Sequence, residues 1–223
     1  MSERLLFAAL VVGAVSGPAS AAIYSTDFSA IGNRVGGASQ GDGSVWGVDS
    51  FSTGTPGVTW AASVGSFDYV KNGNSGYQCV GGSGGCIELG GSGGFGGSPL
   101  TPPSTVQFTL NLAAGTYSVS FDWSRQLASS GFDFMIGNNT VALFPVQAPT
   151  GWSTFSHAFT VANPGNVTFS FVTGALPSNV GSLIDNVSVV PEPASWAMLL
   201  AGGLTVGLVA RRRRGRGAAV IGA

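Results

Sequence analysis

The chain has 223 residues, of which 9% are charged, 44% are hydrophobic and 36 are Gly. So few charges beside so much Gly exclude long helices and coiled coils, which need Glu, Lys, Arg and Ala at helical period, and argue against an ordinary charge-rich cytosolic enzyme. The formal net charge of -1 conceals an asymmetry: Arg211, Arg212, Arg213, Arg214 and Arg216 crowd the C-terminus and Arg4 the N-terminus. Between Ala22 and Val190, three basic residues (Arg34, Lys71, Arg125) stand against eight acidic ones. That stretch lacks the clustered cations that nucleic-acid binding requires.

Residues 1–21 read as a signal peptide. Arg4 supplies the cation, Leu5 to Val15 an apolar run, Gly17-Pro18 a breaker, and Ala19-Ser20-Ala21 the small residues that a signal peptidase pocket admits before Ala22. The expected cleavage is therefore marked by Ala19, Ala21 and Ala22. A retained anchor is disfavoured because the 11-residue apolar run falls short of the roughly 20 that a bilayer core needs. Residues 22–190 then form one extracytoplasmic domain, enough for a single hydrophobic core.

In the first half of that domain, opening strands are expected at Ile23 to Phe28, Val58 to Ala62 and Phe67 to Val70. Ten of the seventeen residues from Gly81 to Gly97 are Gly, so ordering them costs much backbone entropy and buries little side chain. A surface loop over 81–98 is the expectation. Cys79 and Cys86 sit in this region in a compartment that permits disulfides, and a bridge between them would stabilise the fold by roughly 2.5 kcal/mol in the chain-entropy treatment. Two cysteines and a single histidine, His157, make a poor metal set.

From Thr105 onward the chain alternates with the two-residue period of half-buried strands. Val106, Phe108, Leu110 and Leu112 form one row; after Ala113-Ala114-Gly115, Tyr117, Val119, Phe121 and Trp123 form another, and the pair reads as a hairpin. Further strands are expected at Phe132 to Ile136, Thr140 to Phe144, Trp152 to Val161, Asn166 to Val172 and Ser182 to Val190, separated by turn sequences rich in Gly, Asn and Pro. No segment shows helical period over ten residues. The fold class is all-β, an antiparallel β-sandwich of jelly-roll type.

Beyond Val190 come Pro191-Glu192-Pro193 and an uncharged stretch over 194–210, about 26 Å long as a helix and close to a bilayer core. A single transmembrane helix is expected, with Pro193 in its first turn, Trp196 at the headgroups, the arginines of 211–216 held on the cytoplasmic side and a cytoplasmic tail over 217–223. An ordinary buried helix is disfavoured, since four consecutive arginines would be stranded against a core.

The order Pro191-Glu192-Pro193, Trp196-Ala197, a Gly-containing apolar helix and then Arg211, Arg212, Arg213 and Arg214 resembles the PEP-CTERM sorting domain of Gram-negative bacteria, over residues 191–216. The resemblance implies recognition of the Pro-Glu-Pro element by an exosortase, a membrane-embedded transpeptidase-like enzyme, with an inner-membrane intermediate and delivery to the cell surface or extracellular matrix. A second resemblance lies in Ala113 to Trp123, Gly151-Trp152 and Leu183 to Val189, which look like the galactose-binding-like jelly rolls of carbohydrate-binding modules. It implies a non-catalytic module that binds glycan.

The residues offer little for catalysis. His157 shares a strand face with Phe155 and Phe159 and reads as structural. No nucleophile elbow or phosphate loop is present, no cofactor is implied, and Asp122 with Asp133 is the acid pair a glycosidase reading would use. Trp123 and Trp152 are expected in the core, which leaves Trp46 and Trp60 as the candidates for stacking on sugar rings. The expectation is therefore a surface-sorted, non-catalytic component of an extracellular polysaccharide matrix, structural or adhesive, with polysaccharide as its candidate ligand. The alternative is a secreted hydrolase acting on matrix polysaccharide.

Overall fold

The computed structural model describes residues 21–91, 104–125, 131–145, 151–174 and 181–192. The expected signal peptide before Ala21, and the segment from Pro193 onward with Trp196 and Arg211 to Arg214, lie outside the described residues. Among the described residues no helix is long and apolar enough to cross a membrane.

Within the described residues, thirteen strands form one antiparallel sheet: β1 (Tyr24–Thr26), β2 (Gly32–Ser39), β3 (Val45–Ser52), β4 (Thr59–Val64), β5 (Phe67–Lys71), β6 (Gly85–Glu88), β7 (Thr105–Leu112), β8 (Gly115–Ser124), β9 (Phe132–Ile136), β10 (Asn139–Phe144), β11 (Ser153–Val161), β12 (Gly165–Thr173) and β13 (Leu183–Pro191). The path runs β10-β9-β12-β7-β4-β3-β5-β6-β13-β8-β11, with β1 added to β13 and β2 to β3. It folds back on itself into two layers, β10-β9-β12-β7-β4 against β5-β6-β13-β8-β11, joined through β3. This is the expected antiparallel β-sandwich.

The corner lies between β4 and β5. These two strands follow one another along the same side of β3, Trp60 opposite Phe51 and Phe67 opposite Val48, but β4 pairs onward with β7 and β5 with β6. The chain bends at Gly65, whose φ of 69° is one that a Cβ would strain. Ser104 braces the bend, its Oγ donating to the Ser66 carbonyl at 2.7 Å.

Aromatic rings fill the space between the layers. Phe121 of β8 meets Phe134 of β9 at 4.9 Å and Phe171 of β12 at 5.1 Å, and Tyr24 of β1 stacks on Phe108 of β7 at 5.1 Å. Two sequence expectations are corrected here. The rows of β7 and β8 do not form a hairpin: β7 pairs with β12 and β4, and β8 with β11 and β13. Ala113 and Ala114 instead carry the chain from one layer to the other, so that Phe108 and Phe121 line the core from opposite sides. Nor is the glycine-rich stretch a surface loop throughout, because Gly85–Glu88 is a strand buried on both faces. Residues 92–98 lie outside the described residues.

Candidate functional site

The face of β5, β6 and β13 turned away from the main core carries Asp68, Val70, Cys86, Glu88, Leu183 and Asp185. It does not meet solvent. Residues 72–84 fold back over it in a knob containing two short 3-10 turns, Asn74–Gly76 and Val80–Gly82. A Cys79–Cys86 disulfide, with Cα atoms 5.6 Å apart, fastens the knob to β6. Asn72 closes its base: its amide donates to the Gly82 carbonyl at 2.8 Å and its oxygen accepts the Cys79 N–H at 3.0 Å. Val70, Tyr77, Cys79, Cys86 and Leu183 make a small second core beneath the knob, and half-buried Trp46 and Trp152 pack against it.

These two indoles come from distant parts of the chain. Trp46 lies on β3 between the core residues Val45 and Val48, on the outward face. Trp152 precedes β11 and its indole N–H donates to the Gln78 carbonyl of the knob at 2.9 Å. Trp152 was expected in the core; its position is even-numbered, out of phase with the inward Phe155, His157 and Phe159, and so falls on the outer side. Trp60 is the reverse correction. Alternation in β4 turns it inward, where it is 0% exposed, stacks on Phe108 at 4.6 Å and donates from its indole to the Tyr24 hydroxyl at 2.5 Å. It is a core residue and cannot meet a sugar. Trp123 packs against the main core next to Phe144, 4.7 Å away, though only half-buried.

The carboxylates beneath the knob hold backbone together. Asp68 accepts the Gly47 N–H at 2.6 Å. Glu88 accepts the N–H of Gly90 at 2.8 Å and that of Gly181, joining the segment after β6 to the start of β13. Gly90 is required there, because a Cβ would sit 2.5 Å from the Gly181 nitrogen and 2.6 Å from the Glu88 oxygen. Among the described residues the second Glu88 oxygen has no hydrogen-bond partner. Burial first, and then the neighbouring Asp68, push the Glu88 carboxyl well above the usual carboxylate range. Asp185 accepts the N–H groups of Val80 at 3.0 Å and Asn186 at 2.7 Å, and burial pushes it up to about 7. Tyr77 is raised by burial and by the field of Glu88 and Asp68.

Beside the knob, on the same outer face, runs a polar strip. Ser25, Ser188, Ser120 and Ser156 stand opposite one another across β1, β13, β8 and β11. At its end Asp122 accepts from the Thr154 hydroxyl at 2.5 Å and the Asn186 amide at 2.8 Å. A groove of about 440 Å³ lined by Ser25, Thr26, Asp27, Asn186, Val187 and Ser188 opens on this strip. Asp133, the other member of the candidate acid pair, lies on β9 in the opposite layer, where it pairs with Leu143 and Val172. Asp122 and Asp133 thus point away from opposite sides of the sandwich and share no cleft. His157 lies parallel to Phe155 with ring centroids 6.3 Å apart, on the inward face of β11. Cys79, Cys86 and Asp185 bring their ligand atoms within 4.8 Å of one another, but both sulfurs are spent in the disulfide and offer no thiolate.

The end of the body leads into the remaining motif. Pro191 closes β13 opposite Tyr117 of β8, and Glu192 donates its N–H to the Thr116 carbonyl at 2.9 Å. Residues 189–214 match the PEP-CTERM protein-sorting motif. The PEP-CTERM match therefore begins inside the last strand of the folded body. No curated protein matches the chain. Among solved structures the chain is similar to a family 35 carbohydrate-binding module from Clostridium thermocellum (14% identity over 56% of this chain and 88% of that one, TM-score 0.34). It is similar also to a module of Cellvibrio mixtus lichenase 5A solved with cellotriose (10% identity, 77% and 99%, TM-score 0.37). A third likeness is to the TmCBM61 module solved with β-1,4-galactotriose (14% identity, 60% and 88%, TM-score 0.39). All three likenesses are loose.

Proposed function

We propose that the protein is exported, processed by an exosortase at its PEP-CTERM segment, and acts at the surface of a Gram-negative cell as a non-catalytic, glycan-binding component of an extracellular polysaccharide matrix. The observation that carries the binding part is the pair of half-buried indoles, Trp46 and Trp152, set beside a disulfide-fastened knob. An indole held by packing on one side and open on the other presents a rigid apolar face to a sugar ring at little entropic cost. The neighbouring strip of hydroxyls, with Asp122 and Asn186, supplies donors and acceptors for sugar hydroxyls. The sorting motif supports the surface location. Against a hydrolase stands the separation of Asp122 from Asp133 in opposite layers, since glycoside hydrolysis needs two carboxyl groups across one bond.

The test is binding of the full-length chain to polysaccharide from its native host, by affinity electrophoresis. Trp46→Ala and Trp152→Ala should each weaken binding about tenfold, the equivalent of roughly 1.4 kcal/mol. Trp123→Ala, on the other side of β8, should leave affinity unchanged in any fraction that folds. Wild-type affinity in both of the first two variants would remove the knob as the binding site.

A further inference from the structure

The two ends of the sheet path, β10 and β11, are edges, and they differ. β10 has six residues and a register shift between Thr140 and Ala142, a bulge of the kind that spoils an edge for pairing. β11 has nine residues, pairs with β8 from Ser153 to Val161 without a shift, and among the described residues pairs with no other strand. It contains no charged residue and no Pro, the usual means by which natural edges refuse a partner.

The sequence of β11, STFSHAFTV, also reads almost the same in both directions about its centre. Thr154-Phe155-Ser156 precedes His157 and Ala158-Phe159-Thr160 follows it. Ser156 against Ala158 and, at the strand ends, Ser153 against Val161 break the symmetry. Two antiparallel copies related by a two-fold axis through His157 would set Thr154 opposite Thr160, Phe155 opposite Phe159 and Ser156 opposite Ala158. Each of these three pairs is of like size, Ser153 opposite Val161 at the ends is the unlike one, and no pair brings charges together. Phe155 and Phe159 pack against the core and His157 stacks on Phe155, and all three rings remain half-buried. In the paired form the Phe155 and Phe159 rings of two copies would meet as cross-strand aromatic pairs, a recognised source of sheet stability.

We propose that β11 is a homodimerisation edge, pairing antiparallel with β11 of a second copy about His157 and extending the β8-β11 layer across both molecules. The occupant is a second copy because the strand complements itself, residue by residue, in one register.

Disulfide trapping in the full-length chain tests that register. Directly opposed residues in an antiparallel pair have Cα atoms about 4.5 to 5.5 Å apart, within disulfide reach. His157→Cys should therefore give a covalent dimer on mild oxidation, at about ten times the yield of Ala158→Cys, whose two copies would lie beyond roughly 7 Å. Adding Ser156→Lys with Ala158→Lys to His157→Cys sets Lys opposite Lys twice and should cut the yield about fivefold, whereas Ser156→Lys with Ala158→Glu sets Lys opposite Glu and should restore it. Equal yields from His157→Cys and Ala158→Cys, no dimer from either, or equal behaviour of the two charge pairs would overturn the proposal. Should His157→Cys fail to fold, sedimentation of the unmodified chain at about 100 µM decides: a dimer that Ser156→Lys with Ala158→Lys dissolves supports β11 pairing, and a monomer refutes it.

Discussion

Asp185 shows how one side chain sets a pH dependence. Its carboxyl is satisfied by two backbone N–H groups, yet burial outweighs them and raises it from 3.8 to about 7. A group raised on folding binds its proton more tightly in the folded state. Its contribution to stability is therefore complete below the unfolded value near 4 and lost as pH climbs through about 7. Glu88, raised in the same direction by burial and Asp68, adds to the same trend. Stability measured by urea unfolding should fall between pH 4 and pH 8, and Asp185→Asn, which keeps an acceptor for the Val80 N–H, should remove on the order of 3 kcal/mol of that fall. An unchanged fall in Asp185→Asn would show that the carboxyl is ionised in the folded protein at neutral pH.

Among the elements, the knob over residues 72–84 is fastened to the sandwich by the covalent Cys79–Cys86 disulfide and by the Val80 N–H bond to Asp185. Cys79→Ser with Cys86→Ser should lower stability by about 2.5 kcal/mol. It should also weaken glycan binding more than a fully folded Trp46→Ala protein does, because Trp152 is positioned by Gln78 of the knob. Thermal unfolding and affinity electrophoresis on the same samples separate the two effects; full affinity in the double variant would show that the knob is not needed. The elements also differ in how far the sequence reveals them. β7 and β9 coincide with alternating apolar rows, because each buries one face and exposes the other. β3 escapes that reading: its register shifts between Val45 and Val48, which turns a period of two into a period of three. β6 escapes it too, since four residues buried on both faces between glycine runs carry no alternation. Pairing is harder still. β7 and β8 carry matched apolar rows whether they lie side by side or face to face, and only contacts distant in sequence decide between the two. At the site, Trp46 is a candidate from sequence, the inward turn of Trp60 needs the phase of β4 that the sequence leaves open, and the outward turn of Trp152 follows from the parity of β11.

For the whole molecule, the proposed processing acts at the termini. The PEP-CTERM match starts at residue 189, within β13, which ends at Pro191. Protein recovered from the native host's surface or medium should have an intact mass running from about Ala22 to near Pro191, two hydrogens below the reduced value for the Cys79–Cys86 bridge. A chain still ending at Ala223 would make it a permanently anchored protein and remove the exosortase step.

The position of β13 also governs how the protein would respond to force. This strand is an interior one, bonded to β1, β6 and β8, and it continues directly into the sorting segment. The knob touches the same strand, through the disulfide to its neighbour β6 and through Val80 to Asp185. Tension between a glycan held at the knob and the end of β13 would therefore enter the sandwich through β6 and β13. Both strands send side chains into the main core, Ile87 from β6 and Ile184, Val187 and Val189 from β13, and β13 is bonded on both edges, so the pull would be spread as shear over its neighbours and the body would bear load as a clamp.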